Sequence, residues 1–160
     1  GQGELLVTPL QMANLAAIFA NKGYYYTPHL VKAIDGDKSQ IPQEYLTKHE
    51  VGVDAHHFDM VQDAMVQALY GTAQRAIMKD IQIAGKTGTA QNPHGEDHSV
   101  FIAFAPKDNP QIAIVVYVEN AGWGGRAAAS TASLMIEKYL KDSISRPDLE
   151  KYVITGNFIY

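Results

Sequence analysis

The 160-residue sequence contains no cysteine, which excludes disulfide bonds and zinc sites built on thiolates. It has no apolar run near the ~18 residues that a membrane-spanning helix needs, and no signal-peptide pattern. It also lacks an excess of positive charge, since its formal net charge is -4, which argues against a nucleic-acid partner. The first residue is Gly rather than Met, so we expect a processed chain or a piece of a longer protein.

What the sequence does contain is ordinary for one globular domain, with 46% hydrophobic and 19% charged residues. Its length allows one hydrophobic core. Apolar residues at helical spacing predict three helices, over about 8–23, 54–71 and 126–141. The first helix has the clearest start, because Thr8 is a suitable N-cap, Pro9 fits the first helical position and Gln11 completes a capping box.

The second half of the chain changes to a β pattern. Three runs without helical periodicity predict strands over 81–91, 99–105 and 111–119. The link 106–110 has the length of a hairpin connection. Because the second and third runs are almost continuously apolar, both faces of their sheet should be covered. The sequence therefore predicts an α+β fold in which helices flank an antiparallel sheet.

Two segments give weaker signals. Residues 30–34 have the composition of a short strand that ends at a turn over 35–38. In the last stretch, 152–154 and 158–160 are candidates for additional strands or for contact with a partner.

The segment Gly85-Lys86-Thr87-Gly88-Thr89-Ala90 carries the chemistry of the sequence. It superficially resembles the end of a phosphate-binding P-loop, but that motif needs Gly where Asp80 stands, and a following helix. The alternative is the Lys-Thr-Gly strand of penicillin-recognising serine acyltransferases. On such a strand a backbone N–H stabilises an oxyanion, Lys supplies charge, Thr hydroxyls bind a carboxylate and Gly leaves room for substrate. The triplet alone is weak evidence, and its context decides.

The motif strand has a specific context, formed by residues 1–3, 8–13, 71–73, 84–91, 98–106 and 114–120, followed by a Gly-rich loop and an Ala-rich helix. The order and spacing of these segments are similar to those of class B penicillin-binding proteins. The chain thus resembles the C-terminal part of the transpeptidase domain of these proteins, especially the elongation type. The resemblance covers 1–141 and leaves a tail, 142–160, of uncertain structure. It implies the C-terminal portion of the penicillin-recognising, β-lactamase-like fold.

The resemblance implies roles for four residues of the motif strand. Lys86 would act in catalysis, and Thr89 would supply an oxyanion N–H. The hydroxyls of Thr87 and Thr89 would hold the substrate carboxylate, while Gly88 would leave space on the strand. No cofactor or metal is implied.

For the parent protein, the resemblance implies a peptidoglycan D,D-transpeptidase that cross-links stem peptides and binds β-lactams. It would be anchored in the bacterial inner membrane, with this domain on the periplasmic side. The rival functions are a D,D-carboxypeptidase, a serine β-lactamase and a non-catalytic penicillin sensor.

The sequence departs from the family because it lacks two of its motifs, a nucleophilic Ser three residues before a Lys and a Ser-x-Asn. No serine here has Lys at +3 or Asn at +2; the serines are residues 39, 99, 130, 133, 143 and 145. We expect both motifs upstream of Gly1, in an N-terminal half that is the necessary partner of this chain. Without a nucleophile and base the isolated chain should be inactive.

The histidines and the single tryptophan offer further candidates. His56 and His57 are adjacent on a predicted helix and should point to different sides, which makes them poor metal co-ligands. Residues 94–98 combine two His with Glu and Asp, but a polar loop between strands is favoured, because zinc needs three or four supported ligands. The family resemblance implies a third interpretation, in which residues 91–98 lie beside the cleft and contact substrate. Trp123 is interpreted as an anchor that packs its turn rather than an exposed recognition residue.

Overall fold

A three-stranded sheet with helices on both faces forms the centre of the molecule. The computed structural model describes residues 2–159. In chain order the elements are α1 (Pro9–Ala20), β1 (Tyr24–Tyr26), α2 (Gln43–Leu46), β2 (Lys48–Glu50), α3 (Ala55–Thr72), a 3-10 turn (Gln74–Ala76), β3 (Ala84–Ala90), β4 (His98–Ala105), β5 (Ile112–Val118), α4 (Ala127–Lys141) and α5 (Pro147–Thr155). The predicted α+β fold is confirmed.

The central sheet has the order β3-β4-β5, and both pairings are antiparallel. Lys86 lies opposite Ile102, which in turn lies opposite Val115. The prediction that the three runs form adjacent antiparallel strands is confirmed, with ends trimmed by up to three residues at the first strand. A separate two-stranded sheet pairs β1 with β2.

Two hydrophobic clusters cover the two faces of the sheet. Phe101 and Ala103 of β4 pack with Ile136 of α4 in one cluster. Phe104 of the same strand packs with Ala20 of α1 in the other. Because side chains alternate along a strand, the continuous apolar runs of β4 and β5 serve both clusters. Helix α3 contributes to each cluster, so it lies beside the first strand of the sheet.

The start of α1 has the reciprocal hydrogen bonds that the sequence predicts. The Thr8 backbone N–H donates to Gln11 Oε1 at 2.8 Å, and the Gln11 N–H donates to Thr8 Oγ1 at 3.3 Å. The capping box satisfies two N–H groups that would otherwise lack partners at the start of the helix.

Two predictions about weaker segments are wrong. Residues 30–34 form no strand, since this region has only an isolated bridge between Ile34 and Asp37. Residues 152–154 belong to α5 rather than to a strand, and 158–159 lie outside the strands. The helix forms because Pro147 occupies its first turn and Gly156, at φ +67°, ends it in the left-handed conformation. Gly1 and Tyr160 lie outside the described residues.

A buried ion pair fastens α5 to α4. The Glu137 side chain is only 1% exposed, and it accepts hydrogen bonds from Arg146 Nε at 2.9 Å and from the Ser145 hydroxyl. The Arg146 Nη1 atom also donates to Ser133 Oγ at 3.2 Å. Within 2–159, no helix is both long enough and apolar enough to cross a bilayer.

Candidate active-site cleft

Thr87 and Thr89 lie on one face of β3, two residues apart, and both line an open cleft of about 530 Å³. This volume falls in the range of small-molecule sites. The rest of the lining comes from three elements: the end of α3, the 3-10 turn and the loop before α4. Its residues are Gly71, Thr72, Gln74, Arg75, Trp123, Gly124, Gly125 and Arg126.

Hydrogen bonds fix the two threonine side chains. Thr87 Oγ1 donates to Thr72 Oγ1 at 2.9 Å, which connects β3 to the end of α3. Thr89 Oγ1 accepts from the Gly124 backbone N–H at 3.3 Å, which connects β3 to the loop before α4. Both hydroxyls therefore have defined orientations at the wall of the cleft.

The loop before α4 approaches the strand so closely that only glycine fits. A Cβ atom at Gly124 would lie 2.3 Å from the Gly88 carbonyl oxygen, and one at Gly125 would lie 2.0 Å from the Thr72 carbonyl oxygen. Both neighbours are backbone atoms that cannot rotate away. These glycines let the loop form the floor of the cleft.

Ser99 holds this loop in place from β4. Its side chain is fully buried; Oγ donates to the Trp123 carbonyl oxygen at 3.0 Å and accepts from the Ala128 N–H at 3.0 Å. The second bond satisfies an amide in the first turn of α4. Ser99 is thus a structural residue of the cleft.

Lys86 lies on the opposite face of β3 from the two threonines, because side chains alternate along a strand. Its side chain is exposed and Nζ donates to the Thr87 carbonyl oxygen at 2.8 Å. Gly88 shares that face, where an added Cβ would lie 3.4 Å from Val100 Cβ. The structure therefore separates the four motif residues into two pairs, and only the threonine pair lines the cleft.

Gln2 holds the end of the motif strand. Its Oε1 accepts from the Gln91 N–H at 2.9 Å, and its Nε2 donates to the Thr89 carbonyl oxygen at 3.4 Å. The chain segment before α1 therefore contacts β3 directly, although 87 residues separate Gln2 from Thr89.

The interpretation of Trp123 as a packed anchor is wrong. Its side chain lines the cleft and is 72% exposed. Its carbonyl oxygen accepts from Ser99 Oγ and from the Arg126 N–H, and the Arg126 guanidinium lies 5.9 Å from the centroid of its ring. The exposed alternative is the one that the structure shows. An aromatic ring at the mouth of a cleft offers an apolar surface to a ligand.

The polar loop 92–98 uses its side chains to hold its own conformation. Asp97 Oδ1 accepts from the Asn92 N–H at 3.1 Å, and Asn92 Nδ2 donates to Asn120 Oδ1 at 2.7 Å. His98 Nδ1 accepts from the Asn120 N–H at 3.0 Å. These contacts support the polar-loop interpretation.

The expectation that His56 and His57 point to different sides is wrong. Their ring centroids are 3.8 Å apart, so the imidazoles do not point to different sides. Their ligand atoms and a carboxylate oxygen of Asp54 all lie within 4.8 Å of one another, at the exposed start of α3. Adjacent helical residues diverge only within a regular helix, and these two lie in its first turn, where Asp54 makes no side-chain cap hydrogen bond.

The sequence reasoning missed Thr72, Arg75 and Arg126 as cleft residues. Thr72 lies within the Gly71-Thr72-Ala73 segment, so a signal for it was present. The two arginines belong to a 3-10 turn and to the residue before α4, and only the tertiary fold brings them together.

Comparison with known proteins gives a consistent assignment. Residues 1–137 match the model of the penicillin binding protein transpeptidase domain. The chain is 34% identical to the peptidoglycan D,D-transpeptidase MrdA of Haemophilus influenzae, over 95% of this chain and 26% of that protein. It thus spans about a quarter of the length of this curated relative.

Solved structures give the same picture. Pseudomonas aeruginosa PBP2, solved in complex with WCK 5153, superposes with a TM-score of 0.76 at 38% identity, over 89% of this chain and 31% of that one. Penicillin-binding protein A of M. tuberculosis, solved as a ceftriaxone acyl-enzyme complex, has a TM-score of 0.68 at 27% identity, over 100% of this chain and 34% of that one.

Proposed function

Since the chain belongs to the penicillin-binding protein transpeptidase domain family and is similar to its class B members, we propose that it is the C-terminal part of a peptidoglycan D,D-transpeptidase. The observation that carries the proposal is the pair Thr87 and Thr89, which present two oriented hydroxyls on one wall of a cleft. A carboxylate, the group at the end of a stem peptide, accepts hydrogen bonds from hydroxyls. Thr89 keeps its proton for such a bond, and Thr87 has to turn its proton away from Thr72 to make one.

The proposed reaction is acyl transfer between two stem peptides. A serine hydroxyl attacks the carbonyl of the penultimate D-Ala, its proton passes to a neighbouring base, and the base gives that proton to the nitrogen of the terminal D-Ala, which leaves as the free amino acid. An amine of a second stem peptide then attacks the acyl-enzyme, and its proton passes through the same base to the serine oxygen as the serine is released. The serine and its base belong to the N-terminal half of the domain, which is the partner that this chain requires.

The motif residues take distinct roles in this reaction. The Thr89 N–H donates to the oxyanion, and the hydroxyls of Thr87 and Thr89 bind the substrate carboxylate. Lys86 supplies a positive charge to that carboxylate and to the proton network of the nucleophile. Because Lys86 lies on the face of β3 opposite the threonines, its exposed side chain has to leave the Thr87 carbonyl and reach past the edge of the strand to do so. Gly88, on the same face of β3 as Lys86, leaves space on the strand.

The location of the parent protein follows from its substrate. Stem peptides are cross-linked outside the cytoplasm, so this domain lies on the periplasmic side of the inner membrane, and the parent is anchored there.

The division of the chain into a domain part, 1–141, and a tail, 142–160, remains a prediction. β-Lactams bind the same cleft because they resemble the D-Ala-D-Ala end.

The test is to incubate the purified full-length protein with peptidoglycan precursor and to analyse the products by mass spectrometry. Cross-linked dimers with loss of D-Ala are expected. Trimmed monomers alone would indicate a carboxypeptidase, and turnover of β-lactam would indicate a β-lactamase. A stable penicillin adduct without any peptide product would indicate a sensor. Each of these three outcomes contradicts the proposal.

A further inference from the structure

Two arginines line the same cleft as Thr87 and Thr89. Arg75 belongs to the 3-10 turn after α3, and Arg126 immediately precedes α4. No ion pair among residues 2–159 involves either arginine, so no acidic side chain there neutralises their charge. Guanidinium groups bind carboxylates through paired N–H donors, and the cleft therefore combines two such groups with two oriented hydroxyls.

The C-terminal segment, defined as residues 147–159, contacts both arginines. Arg126 Nη1 donates to the carbonyl oxygens of Phe158 and Ile159, each at 3.3 Å. The Arg75 guanidinium lies over the ring of Tyr152, 4.3 Å from its centroid. Tyr152 meets Phe158 edge-on, with ring centroids 5.4 Å apart, so the residue whose ring lies under Arg75 packs against a residue whose carbonyl oxygen binds Arg126.

The start of this segment is itself fixed to the body of the domain. Arg146, the residue before it, pairs with the buried Glu137 of α4. The Nη1 atom of Arg146 reaches the Arg75 carbonyl oxygen at 3.5 Å. The segment is therefore anchored beside the element that carries Arg75, and a change in its position should reach the cleft.

We propose that Arg75 and Arg126 form a cationic wall that recognises a carboxylate of the substrate, and that the C-terminal segment positions both side chains. The inference rests on the proposed function, because it needs a substrate that carries a carboxylate into this cleft. Arg126 remains able to bind, since its hydrogen bonds within residues 2–159 use only Nη1. The segment lies beyond residue 137, where the match to the family model ends.

Arg126 is exposed, which determines how much it contributes to ligand binding and how that contribution depends on salt. A charge near solvent contributes less than a buried one and is screened by salt. We therefore expect its contribution to ligand binding to decrease as ionic strength rises, which a purely structural role would not do.

The experiment measures second-order acylation of the full-length protein by benzylpenicillin and by its methyl ester, which lacks the free carboxylate. Arg126→Gln should slow acylation by the acid about tenfold, the effect of one lost charge-assisted hydrogen bond, and leave the ester rate unchanged. Arg126→Lys should restore part of the loss. Phe158→Ala, which releases the segment, should act in the same direction but less strongly.

Lys32→Gln is the matched control, because it removes one exposed positive charge from a residue outside both the cleft lining and the C-terminal segment. It should leave both rates unchanged, and all rates are expressed per folded molecule. Equal slowing of acid and ester by Arg126→Gln, or no slowing, overturns the inference while the proposed function stands. If neither compound acylates the wild-type full-length protein, both the inference and the proposed function are wrong.

Discussion

Thr87 Oγ1 donates a 2.9 Å hydrogen bond to Thr72 Oγ1, which ties the motif strand to the end of α3. The bond orients the Thr87 hydroxyl at the wall of the cleft. When Thr87 turns its proton to a carboxylate, the Thr72 hydroxyl can donate to Thr87 Oγ1 in its place. Thr72→Val keeps the shape of the side chain but removes this hydroxyl. A hydrogen bond of this kind contributes about 0.5–1.5 kcal/mol, so acylation of the full-length protein by benzylpenicillin should slow about two- to tenfold.

The control for this prediction is Thr131→Val, which removes a threonine hydroxyl that bonds within α4, to the Ala127 carbonyl oxygen. It should leave the acylation rate unchanged. If Thr72→Val and Thr131→Val give the same rate, Thr72 does not orient a substrate-binding group.

Gly125→Ala should destabilise the domain, because the new Cβ would lie 2.0 Å from the Thr72 carbonyl oxygen. Relief of that overlap has to move the loop away from the strand, at a cost of about 1–3 kcal/mol in the free energy of unfolding. Gly71→Ala provides the matched change, since nothing lies within 4 Å of its Cβ position within α3. It should stabilise by about 0.5–1 kcal/mol. Urea denaturation of both variants tests the pair, and a neutral Gly125→Ala would contradict the packing described.

The ion pair between Glu137 and Arg146 should make stability depend on pH. Burial raises the pKa of Glu137, but hydrogen bonds from Ser145 and Arg146 outweigh it and hold the pKa below the ordinary 4.5. A lowered folded-state pKa gives stability that is complete above about pH 4.5 and is lost as pH falls through the lowered value. The difference in unfolding free energy between wild type and Glu137→Gln should therefore be largest at neutral pH and shrink in acid.

Loss of one partner from a buried pair costs about 3–5 kcal/mol, so Glu137→Ala should be severely destabilising. Glu50→Gln serves as the comparison, because Glu50 forms an exposed pair with Lys48 at 2.9 Å. It should change stability little at any pH. A difference between wild type and Glu137→Gln that stays constant between pH 7 and pH 3 would rule out the stabilising ion pair.

The isolated chain should form no covalent adduct with a fluorescent penicillin. None of its serines has the Lys partner that would activate it, and Ser99, the buried one next to the cleft, is occupied by two hydrogen bonds. Intact-mass measurement after incubation checks this, with the full-length protein as the positive control. A stoichiometric mass increase on a serine of this chain would contradict the account.

Local signals in the sequence predicted much of the central fold. The capping box of Thr8 and Gln11 places the start of α1, and continuous apolar runs place β4 and β5. The helix α5 was missed although Pro147 and Gly156 bracket it, because the apolar run 152–154 also fits a strand. A short apolar run fits a helix or a strand equally well until the elements that pack against it are known.

The candidate site was predictable only in part. The motif pointed to Thr87 and Thr89, which line the cleft, because their spacing along one strand is local information. It also pointed to Lys86, which lies on the opposite face of that strand and whose role stays a prediction. The contacts of Thr72 and Arg126 depend on how α3 and the loop before α4 meet the strand, which the fold alone determines. Trp123 was misjudged because aromatic residues are usually buried, and the close-packed glycines next to it leave its side chain outside.

The central claim is that the Lys86-Thr87-Gly88-Thr89 strand serves acyl transfer. It is tested most directly by the second-order rate of β-lactam acylation per folded molecule in full-length Lys86→Ala, with Lys32→Ala, another exposed lysine, as control. Loss of a charge placed at a reacting centre should lower the rate about 100-fold or more, whereas the thermal midpoint and the Lys32→Ala rate should barely change. An unchanged rate in Lys86→Ala would contradict the account.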